Sequence, residues 1–254
     1  MCGIIGVSAI QDAARVAYLG LYALQHRGQE SAGIVTVDAQ GRSHSHRGMG
    51  LVGEIFLERD LRDLHGDVAV GHTRYSTTGS SVLANAQPCV ANYRGGPLAL
   101  AHNGNLTNAA KLKHDLVQQG AIFQSSSDSE VIVHLIARAT APEPEGQIRE
   151  ALAKIEGAYS LVIAVGRTLY AVVDGRGFRP LVLGRLGDGV IIASETCALD
   201  LVGATLIREL QPGEFVRVSN GVVKNLAPLP AKPVSRCVFE LVYFARPDST
   251  IFGE

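Results

Sequence analysis

Met1-Cys2-Gly3-Ile4-Ile5-Gly6-Val7-Ser8 opens the chain, and the reading of this stretch decides the fold. Residues 2–8 are a short apolar run, which predicts a buried strand. Cys2 is small, so methionine aminopeptidase is expected to remove Met1 and leave a thiol and a free α-amine on one residue. Such an amine titrates near 7.7–8, so much of it is an unprotonated base at neutral pH. A thiol beside it carries its own proton acceptor, the N-terminal-nucleophile version of the catalytic triad. The competing reading is that Cys2 is only a small apolar residue, since free cysteine is among the most buried residue types.

Outward from that strand, Ala13, Val16, Ala17, Leu21 and Leu24 recur at helical spacing within residues 12–26, and Arg27-Gly28 reads as a glycine C-cap. Segments 31–38 and 42–48 flank Ala-Gln-Gly and predict a hairpin. Helices are expected over 57–64 and 109–119, over 131–139 after a Ser127-x-x-Glu130 capping box, and around Gln147–Ile155. Strands are expected at 67–71, 97–102, 159–166, 169–174, 181–186 and 190–194, with a hairpin at 215–226 turning on Asn220-Gly221. Residues 227–233, with three prolines, read as a linker. Strands first and last, with helices clustered between, predict an α+β layered protein.

Composition narrows the function classes. The chain has 254 residues, 46% hydrophobic and 19% charged, room for one large domain, or one domain plus a short appendage, with a substantial core. Lys+Arg 23 against Asp+Glu 24 leaves no basic surplus, so neither nucleic acid nor an anionic membrane is an expected partner. No signal peptide is expected, and with no apolar run of about 18 residues no membrane span is expected. Cys2, Cys89, Cys197 and Cys237 are widely spaced without a CxxC pair, which argues against a disulfide framework and a self-contained zinc site. A cytoplasmic protein with free thiols is expected, Cys89 and Cys197 being buried apolar residues. The eight histidines show no HxxxH spacing, and His72 and His102 read as hydrogen-bonding loop residues rather than ligands.

Four polar segments carry the chemistry: 25–33, 71–81, 101–108 and 126–130. Each is also ordinary turn composition. Taken with Cys2, they supply the parts of an amide hydrolase. A thiolate that attacks a carboxamide makes an oxyanion needing fixed donors, and the Asn103 side chain beside the Gly104 backbone N–H is a compact pair for it. Glycine there also lets the backbone approach a substrate closely. Arg74 can grip a carboxylate through two parallel hydrogen bonds, and Asp128 can pair with an α-ammonium group.

The segments Met-Cys-Gly-Ile-Ile-Gly-Val, Gln25-His26-Arg27-Gly28-Gln29-Glu30-Ser31-Ala32-Gly33-Ile34, Gly71-His72-Thr73-Arg74-Tyr75-Ser76-Thr77 and Ala101-His102-Asn103-Gly104-Asn105-Leu106-Thr107-Asn108 resemble the class II glutamine amidotransferases. Within that group the Gln-His-Arg-Gly-Gln and His-Asn-Gly-Asn-Leu forms are similar to the amidophosphoribosyltransferases. Later stretches agree, among them Asp174-Gly175-Arg176-Gly177-Phe178-Arg179-Pro180, Ser194-Glu195-Thr196-Cys197-Ala198 and Phe244-Ala245-Arg246-Pro247-Asp248-Ser249. The resemblance implies a four-layer αββα sandwich of the N-terminal-nucleophile hydrolase type. It implies Cys2 as nucleophile with its freed amine as base, and Asn103 and Gly104 as the oxyanion hole. Arg74, Thr77 and Asp128 would hold L-glutamine, Arg27 would support the site, and loop 75–81 would close over the substrate.

The resemblance further implies residues 2–226 as the glutaminase domain. It takes residues 227–254 as a linker and the start of a phosphoribosyltransferase domain that this chain lacks. Full-length enzymes of this kind are expected to be homo-oligomers that use the ammonia to make 5-phosphoribosylamine from phosphoribosyl pyrophosphate, the first step of purine biosynthesis. No cofactor is implied for this segment; magnesium and a 4Fe–4S cluster belong to the full-length enzyme. Cys237 matches a cluster ligand, but a cluster needs four thiolates and the other three would lie beyond residue 254. Two rivals stay open: a non-catalytic glutamine-binding regulatory module, and a glutaminase subunit serving a different synthase.

Overall fold

Ile4 faces one way from its strand and Ile5 and Val7 the other, and all three are wholly buried. That is the period of a strand covered on both faces, each such side chain contributing roughly 1.5–3 kcal/mol. The computed structural model describes residues 1–75 and 80–253. Among them are thirteen strands: β1 (Gly3–Ser8), β2 (Ser31–Val37), β3 (Ser43–Met49), β4 (Val68–Arg74), β5 (Cys89–Tyr93), β6 (Gly96–Leu106), β7 (Gly157–Val165), β8 (Thr168–Val173), β9 (Val182–Leu186), β10 (Gly189–Ala193), β11 (Thr205–Glu209), β12 (Phe215–Ser219) and β13 (Val222–Asn225). They form two antiparallel sheets, ordered β11-β9-β10-β1-β4-β2-β3 and β13-β12-β8-β7-β6-β5.

Seven α-helices complete the described residues: α1 (Ala13–Ala23), α2 (Val52–Ile55), α3 (Glu58–Asp63), α4 (Ala109–Gln118), α5 (Ser129–Arg138), α6 (Pro144–Leu152) and α7 (Thr196–Val202). Helices α1 and α7 pack on the outer face of the β1 sheet, where Ile5, Val7, Leu21 and Ala198 share one core. Helices α5 and α6 cover the outer face of the other sheet through Ile132, Ile136, Ile148 and Leu161. Ile4, Val70, Ala101, Val162 and Ile192 fill the space between the sheets. The layers are therefore helix, sheet, sheet and helix, the αββα sandwich of the N-terminal-nucleophile hydrolases. Gly6 lets the sheets close, because a Cβ there would lie 2.7 Å from Val162 Cγ1.

Several local expectations change. Gly28 is no left-handed cap: its φ of −166° is extended, and a 3₁₀ turn at Gln25–Arg27 separates it from α1. Glycine is needed there for room, since a Cβ would lie 2.5 Å from the Arg74 carbonyl carbon. The Ser127–Glu130 capping box does not form. Glu130 instead accepts the Gln124 and Ser125 N–H groups, so it ties down the loop before α5. His72 and His102 lie in strands, not loops, and β6 runs to Leu106 because β7 pairs with it through the whole polar stretch. Cys89 is half-buried in the short edge strand β5, although burial of its thiol pushes that group up to about 12. Strands β5 and β11 and helix α7 lacked a clear periodic signal and form where neighbours complete them.

The proline-rich stretch and the residues after it pack back on the sandwich. The Leu229 N–H donates to the Gly213 carbonyl and the Lys232 N–H to that of Gly175. A π-turn at Glu240–Phe244 follows, and Ile251 and Phe252 are buried. No helix among the described residues is long and apolar enough to cross a membrane.

Candidate active site

Strand pairing brings the predicted residues together. In β4, Thr73 lies opposite Gly3 of β1, so Arg74 comes level with Cys2 at that end of the sheet. Asn103 and Gly104 sit in β6 of the facing sheet, paired with Ser160 and Tyr159 of β7. Across the sandwich, the Cys2 backbone nitrogen donates to Asn103 Oδ1 at 3.2 Å, both residues being buried. Asn103 Nδ2 is buried and has no partner among the described residues. A buried amide donor without an acceptor is costly, so an unused donor beside a thiol points to a ligand oxygen.

The thiol is enclosed. Cys2 Sγ lies 3.8 Å from the Tyr75 carbonyl oxygen. Burial raises the thiol, while that contact, the neighbouring amine, Arg74 and Arg27 act the other way. Met1 is also buried, and desolvation pushes its amine down to about 6, towards the unprotonated form. Gly104 is fixed by crowding: a Cβ would stand 2.0 Å from the Ala158 carbonyl oxygen and 2.7 Å from His102 Nε2.

Arg74 is buried at the end of β4, paired with Glu30, and donates to the Ser80 carbonyl at 3.2 Å. Asp128 is half-buried before α5. Its Oδ2 accepts the Leu106 N–H at 2.9 Å, which ties it to the end of β6, and its Oδ1 lies 3.4 Å from Ser129 Oγ. Ser129 Oγ also meets His102 Nδ1 at 3.1 Å and accepts from Gln87 at 3.0 Å. Burial, helped by His102 and Arg74, pushes His72 down to about 3, so it is neutral at any ordinary pH. Thr77 and most of the loop before Ser80 lie outside the described residues.

Arg27 lies behind the thiol, completely buried. Its Nε donates to the Cys2 carbonyl at 3.0 Å, one terminal nitrogen pairs with Glu195, and the other binds both Glu240 oxygens at 3.0 and 2.8 Å. Burial acts to raise the Glu195 carboxyl, but hydrogen bonds from His26 and the Arg27 charge outweigh it and hold the group down at about 2. Neither glutamate was singled out from the sequence as a site residue. The available signal was a carboxylate closing an apolar strand at Glu195, and a lone one within Val238-Phe239-Glu240-Leu241-Val242.

His26, Glu195 and Cys197 bring three potential ligand atoms within 4.8 Å. The Arg27 guanidinium already neutralises Glu195, so this set does not suit a divalent cation. Cys237 belongs to no group of three metal-ligating side chains among the described residues, so they do not fit a cluster.

Known proteins resemble the chain in sequence and in fold. A family described as "Glutamine amidotransferase domain" matches residues 72–201, the stretch that holds Arg74, Asn103, Gly104, Asp128 and Glu195. Amidophosphoribosyltransferase 2, chloroplastic, of Arabidopsis thaliana is 50% identical over 253 residues, covering 99% of this chain and 45% of that protein. The amidophosphoribosyltransferase of Bacillus subtilis is 43% identical, covering 99% of this chain and 53% of its own length. The solved B. subtilis glutamine phosphoribosylpyrophosphate amidotransferase, complexed with ADP and GMP, superposes with a TM-score of 0.93 at 43% identity over 99% of this chain and 55% of that one. The chain thus spans about half the length of the relatives it matches. With the sandwich, the paired strand ends and the matched stretch in agreement, the chain belongs to the glutamine amidotransferase domain family.

Proposed function

We propose that this chain hydrolyses L-glutamine to L-glutamate and ammonia, as the ammonia-supplying half of an amidophosphoribosyltransferase. The observation that carries the reading is Asn103, whose Oδ1 holds the Cys2 nitrogen at 3.2 Å while its buried Nδ2 has no partner among the described residues. Once Met1 is removed, that nitrogen is an amine held in place. It takes the thiol proton, and the thiolate attacks the glutamine carboxamide carbon. The tetrahedral oxyanion accepts hydrogen bonds from Asn103 Nδ2 and the Gly104 N–H. The ammonium form of the amine returns the proton to the leaving nitrogen. Ammonia departs and a γ-glutamyl thioester remains on Cys2. Water, deprotonated by the same amine, then releases glutamate. Arg74 and Thr77 would clamp the substrate carboxylate and Asp128 its ammonium group, with Arg27 supporting the nucleophile.

In the full-length protein the ammonia would pass to phosphoribosyl pyrophosphate to give 5-phosphoribosylamine, opening purine biosynthesis. The phosphoribosyltransferase domain, magnesium, any 4Fe–4S cluster and homo-oligomer contacts would belong to that larger protein. The test combines intact mass with a glutaminase assay. Expected are loss of Met1, one covalent adduct from a glutamine-analogue diazoketone, no adduct in Cys2→Ala, and ammonia release from glutamine. Full activity with Met1 retained would overturn the free-amine mechanism. Glutamine binding without turnover would favour the regulatory-module reading.

A further inference from the structure

Glu240 is wholly buried, yet its neighbours Phe239, Leu241, Val242 and Tyr243 are 48–73% exposed. This turn buries its carboxylate and leaves its apolar side chains outside, the reverse of ordinary amphipathic packing. Burying a carboxylate is unfavourable unless it is closely paired. Glu240 is paired twice, with both oxygens on Arg27 and with Arg179 at 3.2 Å. The same segment reaches the other carboxylate that holds Arg27: the Arg246 N–H and the Ser249 hydroxyl donate to Glu195 at 3.1 and 2.8 Å. Arg27 is the link to the site, through its Nε on the Cys2 carbonyl at 3.0 Å.

We infer that Glu240 is a positioning residue for the Cys2 nucleophile, and that the docked 237–249 segment holds Arg27, and through it Cys2, in working register. This rests on the glutaminase reading above. The physical reason is reciprocity. Arg27 spans the Cys2 carbonyl and two carboxylates, so seating the segment and seating Cys2 stabilise one another. Lifting the turn would leave a buried guanidinium short of one anion and free it to leave the carbonyl. The groups facing Glu240 are Arg27 and Arg179. Those acting on the thiol are Arg27, Arg74, the chain amine and the Tyr75 carbonyl, and Glu195 lies between Arg27 and His26.

The experiment uses the whole chain with Glu240→Gln, and Asp248→Asn as a control in the same segment. Turnover of glutamine is measured beside the pH profile of Cys2 alkylation by iodoacetamide. E240Q is expected to lower kcat about tenfold or more with KM within about threefold, because neither Glu240 nor Arg27 would touch the substrate. Its alkylation midpoint is expected to move down by about half a pH unit, since Arg27 loses one of the anions that balance it. A purely structural role would lower the melting temperature and leave both readouts of the folded protein unmoved. Folded E240Q with wild-type kcat and midpoint overturns the proposal. If E240Q does not fold, E240D keeps the charge but withdraws it by a methylene and must still lower kcat; wild-type turnover in E240D then overturns it. A chain that hydrolyses no glutamine defeats the glutaminase reading alone, because the alkylation midpoint still decides the role of Glu240.

Discussion

Two buried polar regions meet at Cys2, and they are built on opposite plans. In front, where β1 and β6 face each other, Asn103 keeps one amide donor without a partner among the described residues. Behind, Arg27 spends its Nε and both terminal nitrogens on the Cys2 carbonyl, Glu195 and Glu240. The front stores an unused hydrogen bond, which a developing oxyanion can claim at no reorganisation cost. The back is a closed ionic network that fixes geometry. The difference teaches that polarity alone does not mark a reacting centre: in the proposed function, the reacting side is the one with capacity left over.

The sharpest way to break the comparison is Cys2→Ala, which should abolish both glutamine turnover and the diazoketone adduct, read by assay and intact mass. Next is Arg27→Met. Removing the cation leaves Glu195 and Glu240 buried with only His26 and Arg179 to pair them, and unfolding by urea should show a loss of about 3–5 kcal/mol. Asn103→Ala acts on the front alone. It should cut kcat by about 10²–10³ while leaving the urea midpoint much closer to wild type. Similar stability losses in R27M and N103A would erase the distinction between the two regions.

Smaller effects sharpen it. Glu195 titrates at about 2 when folded against an ordinary 4.5, so its contribution is fully present above 4.5 and is lost as pH falls towards 2. Melting temperature should fall across that window, and Glu195→Gln should flatten the fall. Asp248→Asn should leave the melting temperature almost unchanged, because its pair with Arg246 is half exposed to water.

The candidate site was legible where residue types are chemically scarce. Cys2, Arg74, Asn103, Gly104 and Asp128 stood out by type and position, and the structure gathers Cys2, Arg74 and Asn103 at adjoining strand ends. Their settings were less legible. His72 and the 102–105 stretch looked like loops because polar residues there break the apolar pattern, whereas pairing with β1 and β7 keeps them extended. Glu130 looked like a cap and ties down a loop. Glu195 and Glu240 gave almost no signal, because nothing local records that each meets the same distant guanidinium.

By itself, the sequence determined the alternating apolar strands, most of the helices, a cysteine at position 2, and the motifs that mark the amidotransferase family. These are local properties: side-chain period, capping chemistry and residue type act over a few neighbours. Only the tertiary structure decided that Asn103 reaches the Cys2 nitrogen across 101 residues of chain. It alone decided that Arg27 is held by carboxylates 168 and 213 residues away. Such pairings depend on where two sheets and a docked segment come to rest, and burial makes them strong because water is no longer there to compete.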